Sequence, residues 1–218
     1  MYRILTFITI ACAAGWFSYA LRAEKGKIKG SVKVLLSGSK ESFIKFRHPR
    51  SLHASDILAC LKTLSYFLSV LSVLILSLSG FLQYLITGSP LSGFILVLHV
   101  SIAPVFSICM TVVTLLWAQE QIFDKNDRQW FFQIVLNTRN KKNVLPFSTA
   151  LKMCFWMLIL LTPFVMGSII LSMYSVFGTA GQRSLLDMHF ISAFLFLIIS
   201  IFHTYFLLNF QVPEAKNE

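Results

Sequence analysis

Of the five histidines in this chain, two share a single apolar segment, and their spacing suggests the chemistry they could do. His189 and His203 lie 14 positions apart in Leu185–Leu208, a stretch built largely from Phe, Leu and Ile. At about 100° per residue, 14 steps return to within about 40° of the starting direction, so both imidazoles fall on one helix face. At about 1.5 Å per residue they stand about 21 Å apart, most of a hydrocarbon core about 30 Å thick. Polar side chains at that depth are costly and mark function. A neutral imidazole can bind iron through one ring nitrogen while the other keeps its proton. Histidines placed this way suit axial ligation of haem iron, and two haems, one toward each leaflet, would account for both.

The elements that would position them are membrane helices. The chain has 218 residues, of which 56% are hydrophobic and 13% charged, with 21 Phe. A soluble domain carries about 25% charged residues. Five apolar runs reach the length a spanning helix needs: Tyr2–Leu21, Leu61–Ile86, Ser92–Ala118, Leu151–Phe177 and Leu185–Leu208. None alternates with period two, which excludes a barrel. The expected fold is an all-α integral membrane protein: a four-helix haem-binding transmembrane bundle over 61–210, plus one extra N-terminal transmembrane helix over 1–22. Met1-Tyr2-Arg3, the apolar run and Ser18-Tyr19-Ala20 also resemble a signal peptide; the segment is read as signal-anchor-like. Residues 23–60 form a basic cytoplasmic linker and 211–218 a cytoplasmic tail. Ser55-Asp56 before Ile57 reads as a helix start. Asp127–Leu136 reads as an amphipathic surface helix, and Gly178–Ser184 as the link between the last two spans.

Net charge is +10, and its placement sets the expected orientation. Arg22–Asp56 holds nine basic residues against three acids, and Gln119–Lys152 six against three. The other two links, Thr87–Leu91 and Gly178–Ser184, hold only Arg183. The positive-inside rule then places the N-terminus outside and the C-terminus in the cytoplasm, in a multi-pass protein of the cell's inner membrane. No basic patch is interleaved with aromatics, so nucleic acid is not an expected partner; anionic lipid is. The four cysteines are scattered, with no CxxC or CxxCH, which argues against c-type haem, an iron–sulfur cluster or structural zinc within the chain.

With that topology, His99, seven residues into the third span, and His189, about four into the fifth, reach similar depth toward the outer leaflet. Two imidazoles from adjacent helices at one depth can hold one iron. His203 lies toward the inner leaflet and needs its own partner. His48 and His53 fall in the basic linker.

These residues resemble a known family. Asp187-Met188-His189 through His203-Thr204-Tyr205 is similar to the His-x13-His-x-Tyr helix of the cytochrome b (gamma) membrane subunit of respiratory formate dehydrogenase and its hydrogenase relatives. Leu98-His99 resembles that family's single-histidine helix. Ser79-Gly80, Asp127-Arg128-Gln129-Trp130 and Lys152-Met153-Cys154-Phe155-Trp156 also resemble family segments. The resemblance covers residues 61–210. It implies His99 and His189 as ligands of an outer haem b and His203 as one ligand of an inner haem b. The inner haem's other ligand is expected 13 positions before Gly80, where this chain has Phe67, which cannot bind iron. The inner haem is then absent, or uses His53 or a residue from a partner. The expected function is electron transfer through haem b, one haem with a second in question, between an extracytoplasmic iron–sulfur or multihaem cytochrome subunit and the quinone pool. The chain would be a non-catalytic subunit of a respiratory oxidoreductase complex. A quinone would sit near His203, with Lys62, Tyr205 or Asn209 as polar neighbours and Trp130 and Phe131 close by. The alternative is a haem-free membrane anchor or assembly subunit, whose histidines only pack or hydrogen-bond.

Overall fold

The structure is a computed structural model that describes residues 54–89, 91–135 and 146–210, together with positions 15, 18, 19 and 22. Those four isolated positions are helical and exposed. The rest of the expected N-terminal helix, His48, His53, Cys12 and the Val32–Leu36 segment lie outside the described residues.

Helix α1, Ala54–Ser77, passes through one π-helical turn, Leu78–Leu82, into α2, Gln83–Thr87. Helix α3 spans Gly93–Trp117, α4 Lys125–Val135, α5 Phe147–Ser172 and α6 Gly178–Phe210. A short 3₁₀ turn, Ser175–Phe177, joins α5 to α6. No strand occurs among the described residues. Four rods are long and apolar enough to cross a membrane: Ile57–Thr87, Gly93–Trp117, Phe147–Ser172 and Ser175–Leu208. The protein is an all-α, multi-pass membrane bundle.

Two expected boundaries move. The first rod begins at Ala54, one residue before Ser55-Asp56, so it takes its first turns from the stretch read as linker. The link expected over Gly178–Ser184 is helical instead. Only Gly178, at φ 62°, interrupts the chain there. A positive φ costs glycine little, so Gly178 closes the turn begun at Met173 and lets α6 start there. Gln182, Arg183 and Ser184 hold no helix breaker, and α6 runs on from Gly178. The α5 and α3 helices continue through Pro163 and Pro104, as membrane helices can when neighbours satisfy the freed carbonyls.

The rods form two helical hairpins. The α1–α2 rod packs closely on α3, and α5 packs closely on α6, while the two hairpins meet sparsely. At mid-depth they are joined by an apolar plug of Phe106, Met110, Leu158 and Phe196, flanked by Val73, Leu76, Leu161, Val165, Met166 and Ile199. Phe106 and Phe196 meet edge to face, ring centroids 5.5 Å apart, a geometry contributing about 1 kcal/mol beyond burial. Each of these two phenylalanines follows a histidine by seven residues, two helical turns, so the plug lies below His99 and His189 and above His203.

The end carrying the charged loop is held by polar ties. Lys62 pairs with Glu120 and lies 5.4 Å from the centroid of the Trp117 ring. Trp156 Nε1 donates to the Gln121 carbonyl at 2.9 Å. The expected amphipathic helix is present as α4, and its start is a capping box. The Asp124 backbone N–H donates to Asp127 Oδ2 and the Asp127 N–H to Asp124 Oδ1, each at 2.9 Å, so two orphan donors are satisfied reciprocally. Asp127 is buried; Lys152 Nζ donates to its Oδ2 at 2.6 Å and the Thr149 hydroxyl to its Oδ1. This fastens the surface helix to the start of α5.

That tie has a pH signature. Burial alone would raise the Asp127 carboxyl. Hydrogen bonds from Lys152, Thr149 and the Asp124 backbone, with the Lys152 charge, outweigh it and hold the group below the usual carboxylate range. A carboxyl lower in the folded than in the unfolded chain stabilises the fold above its unfolded value, about 3.9, and stops doing so as pH falls through the folded value. The protection of α4 amides against exchange, relative to the unfolded chain at the same pH, should therefore hold from neutral pH down to about pH 4 and fall below it.

Candidate haem site

The paired imidazoles come from α3 and α6, one on each hairpin. His99 Nδ1 lies 2.8 Å from the Ser79 hydroxyl, which also donates to the Ile75 carbonyl at 2.7 Å. His189 Nδ1 lies 2.8 Å from the Val165 carbonyl on α5. A carbonyl can only accept, so His189 Nδ1 carries the proton. The Ser79 hydroxyl has the Ile75 and Leu76 carbonyls to take its proton, which leaves its oxygen free to accept from a protonated His99 Nδ1. Hydrogen-bond geometry thus assigns His189 to the Nδ1–H tautomer, with a lone pair on Nε2, and the arrangement around Ser79 accommodates the same tautomer of His99. That is the form in which histidine binds a metal, with its other nitrogen held by an outer partner.

Both anchoring partners lie at similar depth. Ser79 precedes the end of the first rod at Thr87 by eight residues, and Val165 precedes the end of α5 at Ser172 by seven. The two histidines are near enough for a charge on one to be felt by the other. Both are half-buried.

Room for the His99 ring comes from Gly80. A Cβ built there would stand 3.3 Å from His99 Cε1. A Gly80→Ala substitution must push the imidazole back by a few tenths of an ångström. Its expected result is weakened haem retention, by up to about tenfold, as for other changes to an outer-shell support; titration of haem into the apoprotein checks it. The π turn over Leu78–Leu82 brings Ser79 and Gly80 to this place. Such turns insert one residue into an α-helix and often mark functional sites.

These features fit a haem. The two imidazoles come from separate hairpins, which meet sparsely overall. No cluster of three or more His, Cys, Asp or Glu suited to a bare metal ion occurs among the described residues; axial haem ligation needs only two.

The other expected site residues are not gathered in this way. His203 lies at the charged end against the Leu151 carbonyl, with its Nδ1 buried and without a hydrogen-bond partner. Phe67 is 63% exposed and faces away from the bundle. The α1 face turned inward carries Ser65, Ser69, Ser72 and Ser79 instead. Lys62 is committed to Glu120 and Trp117. Tyr205 packs on Phe206, and Trp130 on Phe131. The His53 position lies outside the described residues. Cys60, Cys109 and Cys154 are free and buried.

Sequence reasoning named Ser79 and Gly80 only as part of a resemblance and did not assign them to His99. It missed the Asp127–Lys152 pair altogether, although the D-x-x-D spacing of Asp124 and Asp127 was a readable cap.

No curated protein and no solved structure matches the chain significantly. The family model described as prokaryotic cytochrome b561 matches residues 67–214, more than half of the chain. The match takes in His99, His189 and His203 and leaves out the charged N-terminal stretch. A family of cytochromes favours the haem-bearing expectation over the haem-free anchor. The chain belongs to the prokaryotic cytochrome b561 family and is a membrane electron-transfer protein that uses haem b.

Proposed function

We propose that this chain is the cytochrome b subunit of a quinone-linked respiratory oxidoreductase of the formate dehydrogenase and hydrogenase type. His99 and His189 hold its haem b. The observation that carries the reading is the pair of imidazoles on separate hairpins, each with Nδ1 held by a hydrogen-bond partner. When bound, haem supplies one-electron chemistry, and the chain supplies orientation and electrostatics. Val165 and Ser79 fix the two rings. The apolar plug around Phe106 and Phe196 excludes water beneath them.

The basic loops support an orientation with the α4 end on the cytoplasmic side of a cell inner membrane. The haem then lies toward the extracytoplasmic side, within reach of an iron–sulfur or multihaem cytochrome subunit. Electrons pass between that subunit and a quinone at the His203 end. His203, buried against the Leu151 carbonyl, is the histidine at that end. The described residues supply no second histidine at that level, so the reading is one haem held by His99 and His189.

The test uses native membranes and the purified full-length chain. A reduced-minus-oxidised spectrum should show a b-type α band, a quinol should reduce that haem, and a redox subunit should co-purify. A b haem that no quinol reduces, in a preparation without a redox partner, contradicts the quinone-linked assignment. Pyridine haemochrome should give one haem per chain; two would contradict the single site.

A further inference from the structure

The two candidate ligands are not supported alike. His189 leans on a backbone carbonyl, which no side-chain substitution removes. His99 leans on a hydroxyl, and that hydroxyl is itself held. Ser79 Oγ lies 2.7 Å from the Ile75 carbonyl, 3.2 Å from the Leu76 carbonyl and 2.8 Å from His99 Nδ1. The serine is buried, at 8% exposure, so water does not compete for it. It lies in the π turn, and a Cβ on its neighbour Gly80 would meet the edge of the same ring at Cε1. One residue therefore gives His99 an acceptor, and the next gives it space.

We propose that Ser79 is the positioning residue of His99. Relaying the imidazole N–H to the Ile75 carbonyl, it fixes the Nδ1–H tautomer, aims Nε2 and sets how strongly that nitrogen donates to iron. The proposal rests on the reading of His99 and His189 as haem ligands. A hydroxyl whose proton is already engaged by a carbonyl is a better acceptor, because linked hydrogen bonds polarise one another. An imidazole whose N–H is held by an acceptor is a more basic ligand. Stronger donation favours the oxidised metal, so losing the acceptor should raise the reduction potential. Without Ser79 the ring also loses the group that selects its tautomer, and a ring protonated on Nε2 has no lone pair to offer.

The test compares Ser79→Ala with Ser79→Thr in the full-length protein. Alanine is the best helix former, so the first variant keeps the fold. Threonine restores the hydroxyl, which can bond the carbonyl four residues back. In Ser79→Ala the reduction equilibrium should shift toward the reduced state by about threefold to tenfold, the worth of one hydrogen bond, at most about 59 mV for one electron. Haem affinity should fall, while Ser79→Thr stays near wild type on both readouts. A Ser79→Ala protein with unchanged potential and unchanged haem affinity overturns the proposal. So does a Ser79→Thr protein shifted as far as the alanine variant, because the hydroxyl is then not the cause. Loss of haem in Ser79→Ala with recovery in Ser79→Thr supports it. A haem that survives His99→Ala sinks the ligand assignment itself, a result distinct from a silent Ser79→Ala.

Discussion

His99→Ala and His189→Ala are each expected to empty the haem site, and the two losses should be about equal. On the proposed reading each imidazole would supply one bond to the iron, and no replacement ligand stands beside either ring among the described residues. Near His99, the side chains in reach are Ser79 and the glycine edge at Gly80. Near His189, the nearest polar partner is the Val165 carbonyl, which already takes the Nδ1 proton. Changes to the outer shell of a metal site cost about 10–100-fold in affinity, so loss of a ligand should cost at least that. The b-type α band should disappear from both variants at normal expression. His203→Ala should keep the band, because His203 lies on the far side of the Phe106–Phe196 plug, about 21 Å along α6 from His189. Haem retained at wild-type level in either of the first two variants would contradict the site.

Asp127→Ala should produce the largest loss of stability. Asp127 is 3% exposed and receives Lys152, Thr149 and its own half of the capping box. Removing it strands a Lys152 ammonium whose side chain is only 15% exposed, with Asp124 at 3.5 Å as its remaining counter-charge. Breaking one partner of a buried pair costs about 3–5 kcal/mol, whereas replacing both by apolar groups is often neutral. Thermal unfolding in detergent should therefore show a large loss in Asp127→Ala and a much smaller one when Lys152→Met accompanies Asp127→Leu. A single-variant loss within about 0.5 kcal/mol, the range of ordinary surface changes, would show that the tie does not carry the α4–α5 junction.

The sequence disclosed the parts of this molecule that depend on local pattern. Apolar runs of about 20 residues revealed four rods, because a bilayer demands that length of any helix crossing it. Counting along α6 put His189 and His203 on one face, and counting depth matched His99 to His189. Interruptions of the helical pattern were harder to read. The π turn at Leu78–Leu82 leaves no breaker in the sequence, since Leu-Ser-Gly-Phe-Leu reads as ordinary membrane helix. Gly178–Ser184 looked like a loop from its glycines and Arg183, yet the reversal is complete by Gly178, made by Met173–Phe177 and that one positive-φ glycine. The Ser79–His99 and Asp127–Lys152 contacts join residues 20 and 25 positions apart. No local spacing encodes such pairs; packing of whole helices makes them. Phe67 was expected to stand where an iron ligand would be. The structure turns that position outward and gives the inward face to serines, which a substitution read from sequence alone does not convey.

The most direct test is an experimental density map of the purified, oxidised full-length protein. The account predicts a porphyrin between the two hairpins, with its iron bound on opposite faces by Nε2 of His99 and Nε2 of His189, and each Nδ1 still against Ser79 and Val165. Rings pointing apart, or lipid or side chains filling the space between them, would contradict it.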